Sequence, residues 1–98
     1  MISLAGEFDL TSSSAVGDEI LRLSESNEPK ILVDLSGVSF IDSSALGALV
    51  SCTKHVREHQ GEIEIVAPPG SPLHRLLELT GLDETIRPYA AVDDIVDG

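Results

Sequence analysis

Ninety-eight residues with 42% hydrophobic content suffice for a single core, so one domain, 1–98, is expected. Seventeen acidic residues against six basic ones give a net charge of -11, and the bases Arg22, Lys30, Lys54, Arg57, Arg75 and Arg87 are scattered. Without a basic footprint neither nucleic acid nor anionic membrane is an expected partner, which leaves a protein or a neutral ligand.

The lone cysteine, Cys52, has no second thiol to pair with in the chain. No apolar run approaches the roughly 20 residues of a membrane span. The opening MISLAGEFDL lacks the basic-then-apolar order of a secretion signal, so a cytoplasmic location is expected. Three aromatics, Phe8, Phe40 and Tyr89, are too few for a base-stacking platform, and the core must be aliphatic.

In chain order, Met1 to Ala5 reads as an extended segment ended by Gly6, with Glu7-Phe8-Asp9 as a loop before a helix. Leu10-Thr11 and Ser12 to Ser14 supply its capping candidates, and Val16, Ile20 and Leu23 recur at helical spacing with Leu21 beside them. The polar stretch from Ser24 to Pro29 connects this helix to Ile31-Leu32-Val33, a short apolar run that predicts a strand covered on both faces. Asp34, Ser36 and Gly37 read as turn-formers at its end.

Leu46, Leu49, Val50 and Val56 lay one stripe along a second helix that opens at Asp42-Ser43-Ser44 and ends near His59-Gln60, with Gly61 expected in the left-handed conformation. Ile63, Ile65 and Val66 form a third strand, stopped by Pro68-Pro69-Gly70. Ser71-Pro72 starts a third helix with the serine as cap; Leu73, Leu76, Leu77 and Leu79 line it and Gly81 ends it. Thr85 to Arg87 reads as a short strand, and Ala90 to Val96 as a last helical turn or two. Strand and helix alternate, which predicts a small α/β layer, a mixed or parallel sheet of about four strands with helices packed on it.

Most constellations of reactive side chains fall short of a site. His55 and His59 stand four apart on one helix but lack a third metal ligand, so no metal is expected. A serine hydrolase needs a histidine beside Ser43 or Ser44, and His55 lies twelve residues beyond Ser43, about 18 Å along the same helix. There is no Gly-x-Ser-x-Gly elbow and no phosphate-cradling loop. Neither a catalytic residue nor a cofactor is expected. Cys52, with no adjacent cations, reads as packing.

Asp42-Ser43-Ser44 has two readings. Asp or Ser before an amphipathic run is an ordinary helix cap worth about 1 kcal/mol. An anion on a serine hydroxyl there would also be held by the unpaired N–H groups and the positive end of the helix dipole. Ala45, Gly47 and Ala48 likewise fit either close packing within the domain or a flat surface for another backbone, and Gly47 costs a helix interior roughly 1 kcal/mol against Ala.

Three stretches together resemble the STAS domains, named for sulphate transporters and anti-sigma factor antagonists: ILVDLSGVSFIDSSALGAL, the Gly6-Glu7-Phe8-Asp9 segment, and Leu76 to Leu82. The resemblance spans nearly the whole chain, in order. It implies a cytoplasmic anti-sigma factor antagonist that binds an anti-sigma factor serine kinase, itself the ATP-binding partner, and is switched off when that kinase phosphorylates Ser43. Asp9, Asp42, Ser44 and Ala45 would then meet the partner. The alternative is a STAS subunit of a transporter or lipid-trafficking complex, where the serine only caps a helix. Ala45 stands where the family often has Gly. The chain also begins five residues before Gly6, where relatives carry a further N-terminal strand; if that strand is absent, an open sheet edge makes a homodimer an expectation.

Overall fold

A computed structural model describes residues 2–25, 29–91 and 95, with the side chain of Leu10 left aside. Three strands, β1 (Ile2–Phe8), β2 (Lys30–Ile41) and β3 (Glu62–Val66), form an all-parallel sheet in the order β1-β2-β3. Helices α1 (Leu10–Ser24) and α2 (Ser43–Glu58) join them, and α3 (Pro72–Thr80) follows β3. A fourth strand is reduced to one bridge. Ala67 N–H donates to the Tyr89 carbonyl and Tyr89 N–H to the Ile65 carbonyl, both at 2.8 Å.

That bridge corrects the expected strand at Thr85–Arg87. Leu82–Glu84 instead winds into a short 3-10 turn, Thr85 and Ile86 N–H both return to the Leu82 carbonyl, and pairing resumes only after Pro88. Of the expected connection over 24–29 and the expected turns over 90–96, residues 26–28, 92–94 and 96 lie outside the described residues.

The central strand is longer than its apolar run, because Asp34, Ser36 and Gly37 do not end it. Ser3 pairs with Asp34 but Ala5 with Gly37, and Gly6 with Val38 but Glu7 with Phe40, so β2 absorbs two extra residues as bulges. Asp34 supports the first by accepting from the Ser36 backbone N–H at 3.0 Å and the Ser36 hydroxyl at 2.6 Å. Gly37 fits because a Cβ there would stand 3.1 Å from the Leu4 carbonyl oxygen. Nor is β2 covered on both faces. Ile31, Val33 and Leu35 are buried while Leu32 and Asp34 between them are half-buried, the alternation of a strand with one covered face.

Ile31, Val33, Ile63 and Ile65 form the core with Val16 and Ile20 of α1, Leu46, Leu49 and Val56 of α2, and Leu73 and Leu77 of α3. Each such side chain withdrawn from water contributes about 1.5–3 kcal/mol. Leu79, expected to line α3, points outward at 84% exposure. The end of α2 also departs from expectation. Gln60, not Gly61, takes the left-handed conformation (φ 63°), with its N–H bonded to the Arg57 carbonyl and the Gly61 N–H to the Val56 carbonyl. Together these two bonds make a Schellman close. Gly61 is required for space, since a Cβ there would lie 2.6 Å from Pro29 Cγ and 2.7 Å from Val56 Cγ1.

Candidate functional site

The candidate site lies where β1 and β2 end side by side. Strand β1 does not end at Gly6 but runs on through Glu7 and Phe8, both expected as loop, and Phe8 is buried and pairs with Ile41. The next residue on each strand is an aspartate that caps a helix. Asp9 accepts from Ser12 N–H at 3.1 Å, and Ser12 Oγ accepts from Asp9 N–H at 3.0 Å, a reciprocal capping box. Asp42 accepts from Ala45 N–H at 2.8 Å. Both carboxylates therefore satisfy N–H groups that would otherwise be orphaned.

Hydrogen bonds from Ser12, first its backbone N–H and then its hydroxyl, hold the Asp9 carboxyl below its ordinary range, so the group stays ionised. Ser43 and Ser44 occupy the first two positions of α2 and are exposed. Their own N–H groups precede the first turn's bonds, so a negative group on either hydroxyl would meet free donors and the positive helix end. Ala45, expected at a partner surface, is instead fully buried, and its methyl group packs into the core.

The remaining candidates stay apart from this place. The His55 and His59 rings lie against one another at a tilt of 34°, centroids 4.2 Å apart, with His59 Nδ1 2.8 Å from the His55 carbonyl. Among the described residues no three potential ligands cluster for a metal. His74 pairs with Glu78 on its own helix at 2.8 Å. Cys52 is half-buried beside Gly17 of α1, and burial pushes its thiol pKa up, which leaves it unreactive packing. The N-terminus of α3 lacks the expected serine cap, because the buried Ser71 hydroxyl bonds to no helix N–H. No helix among the described residues is long and apolar enough to cross a membrane.

Phe40 escaped the sequence, and the two readings of Gly47 are separated only by its surroundings. Phe40, on β2, is 50% exposed, and the bulge before it is what turns it out of the alternation. Gly47, on α2, is exposed, and a Cβ there would meet nothing within 4 Å, so close packing within the domain does not account for it. Its cost to the helix was legible from composition; its surroundings were not.

The STAS domain family model matches residues 1–95. An anti-sigma-F factor antagonist, RsfB, of Mycobacterium tuberculosis is 30% identical over 98 residues, all of this chain and 79% of that protein. An anti-sigma-B factor antagonist of Listeria monocytogenes is 36% identical over 86 residues, covering 87% of this chain and 74% of its own. The crystal structure of an anti-sigma factor antagonist from Mycobacterium paratuberculosis superposes with a TM-score of 0.78 at 31% identity, over 94% of this chain and 77% of that one.

Proposed function

The chain belongs to the STAS domain family, and on that premise we propose that it is a cytoplasmic anti-sigma factor antagonist switched by phosphorylation of Ser43. In the unmodified state it binds an anti-sigma factor that is a serine kinase, and the sigma factor goes free. The kinase holds the ATP and supplies the chemistry; this chain supplies a hydroxyl. Asp9, Asp42 and Ser44 lie at the contact. The observation that carries the reading is the exposed Ser43 at the first position of α2, directly after the capping Asp42 and at the end of the strand paired with the one that leads to Asp9.

The switch needs no change of fold. A phosphate adds about -1.5 to -2 charges. Two unit charges 4 Å apart near a surface repel by about 4 kcal/mol before screening, and about 2.8 kcal/mol already lowers affinity a hundredfold. The helix end that holds the phosphate keeps the domain intact while the interface is lost.

Incubation with a candidate anti-sigma kinase and ATP should add one phosphate to the wild type and none to Ser43→Ala. Modification persisting in that variant would move the acceptor to Ser44. No phosphate on the wild type with any of the host's candidate kinases would end the proposal. The outer edge of β1, which pairs only with β2 among the described residues, is in this reading a surface for a homodimer, and a monomeric mass by light scattering at high concentration would remove that part.

A further inference from the structure

The last turn of α2 carries two histidines that the phosphorylation switch does not use. His55 is half-buried and His59 exposed, and their ring centroids lie 4.2 Å apart. His59 Nδ1 stands 2.8 Å from the His55 carbonyl oxygen. A carbonyl can only accept, so Nδ1 carries the proton, and the lone pair of the neutral ring is left on Nε2. Histidines that ligate metals are held in the same manner, with one ring nitrogen tied to a carbonyl and the other left for the ion.

The spacing of the rings discriminates between ions. With metal–nitrogen bonds of about 2.0–2.1 Å, two imidazoles at a right angle put their ring centroids roughly 4.5 Å apart, and two at the tetrahedral angle about 5 Å. The observed 4.2 Å is nearer the right angle, which belongs to square-planar and octahedral ions such as divalent copper and nickel. Among the described residues no third side-chain ligand joins the pair, so a closed structural zinc site is not built here. The neighbouring cations leave the place open: the Arg57 guanidinium is engaged by the Thr85 carbonyl at 3.2 Å, and Lys54 is exposed to solvent. A net charge of -11 raises the local concentration of any cation.

We propose that His55 and His59 form a two-nitrogen chelate for a divalent copper or nickel ion, with water at the remaining positions. Each ring turns its Nε2 toward the ion, and the bond from His59 Nδ1 to the His55 carbonyl supports the ligand from behind. Copper binds more tightly than nickel, as it does at nitrogen sites in general. The ion joins two positions one helical turn apart, so it holds the end of α2 closed and stabilises the folded chain as its free concentration rises. The site does not depend on the antagonist reading. His55 lies twelve residues beyond Ser43, about 18 Å along α2, and a loaded chelate leaves that hydroxyl free.

The test titrates the tag-free protein with nickel chloride and copper chloride by calorimetry, in excess magnesium so that the many carboxylates are already occupied by an ion that prefers oxygen. The wild type should bind one ion per chain, copper more tightly than nickel. His55→Gln and His59→Gln should each weaken binding about tenfold or more, since losing a ligand costs at least as much as losing the group that orients one. His74→Gln, whose imidazole pairs with Glu78 on α3, should bind as the wild type. Nickel should raise the melting temperature of the wild type by several degrees and that of His59→Gln hardly at all, and the copper-loaded wild type should show two coupled nitrogens by electron paramagnetic resonance. Far-ultraviolet circular dichroism of the metal-free variants should match the wild type, which separates a lost ligand from a lost helix. Wild-type affinity in either His55→Gln or His59→Gln, an equal loss in His74→Gln, or no binding of either ion above the magnesium background overturns the chelate and leaves the antagonist reading standing.

Discussion

Phe8 and Ile41 stand side by side across the β1–β2 pairing, and the backbone N–H of Asp42 donates to the Phe8 carbonyl at 3.4 Å. Both strands consequently run out at one level, and each passes into a helix through an aspartate cap. Two capped helix N-termini are thereby set beside one another beyond the carboxyl ends of parallel strands. Sheet register, more than helix packing, decides which acids flank Ser43.

The Asp42 carboxylate supports the site by accepting a hydrogen bond from Ala45 N–H at 2.8 Å. Asp42→Ala should cost about 1 kcal/mol by loss of the cap, or about 4–8 °C in melting temperature for a domain of this size. Asp42→Asn, which caps as well, should restore most of it. Thermal circular dichroism of the three proteins measures the difference, and an Asp42→Ala protein as stable as the wild type would refute the cap's contribution.

Gly61→Ala should destabilise through crowding, because the added methyl group would meet Pro29 Cγ at 2.6 Å and the buried Val56 at 2.7 Å. Overpacking of this kind costs about 1–3 kcal/mol. Gly17→Ala, whose methyl group would lie 3.7 Å from Cys52 Sγ, should be tolerated. Urea midpoints of the two variants should therefore move apart, and a Gly61→Ala protein with the wild-type midpoint would contradict the close approach.

The alternation of strand and helix, the one-sided stripe of α2 and the Asp-Ser-Ser start of that helix are all legible in the sequence, because each is a local pattern with a local cause. What eluded it depends on partners far along the chain. Asp34, Ser36 and Gly37 have the composition of a turn, but pairing with β1 holds them in a strand through a bulge. Gly61 looks like a left-handed cap, yet the position that needs positive φ falls on Gln60, and Gly61 is needed where Pro29 crosses. Ala45 and Gly47 are equally small in sequence, and only the packed helix separates a core methyl group from a bare surface.

Acid should act on the domain partly through Asp9. Its folded-state pKa is lowered from the ordinary 3.8, chiefly by the Ser12 backbone N–H and then by the Ser12 hydroxyl. A depressed carboxyl adds stability that is fully present above the unfolded pKa and disappears as pH falls through the lower folded value. The stability gap between the wild type and Asp9→Asn should thus be widest at neutral pH and close in strong acid. Denaturant midpoints over that range measure it, and a gap that widens on acidification would reverse the sign.

Phosphorylated Ser43 should leave the domain folded. The first turn of α2 contributes two opposing electrostatic effects: the free N–H groups and helix dipole favour a negative group by about 0.3–1 kcal/mol, whereas the neighbouring Asp42 carboxylate opposes it. At an exposed position both are screened, so the net effect on stability should stay within about 1 kcal/mol and the melting temperature within several degrees. The far-ultraviolet circular dichroism of the phosphorylated protein and of Ser43→Asp should match the wild type. Partner affinity should fall about a hundredfold in the same samples, since the partner's surface, unlike the helix end, has no reason to accommodate the added charge. A phosphorylated protein that melts without a cooperative transition would mean that the modification acts by unfolding α2, and the account of a charge refused only at the interface would fail.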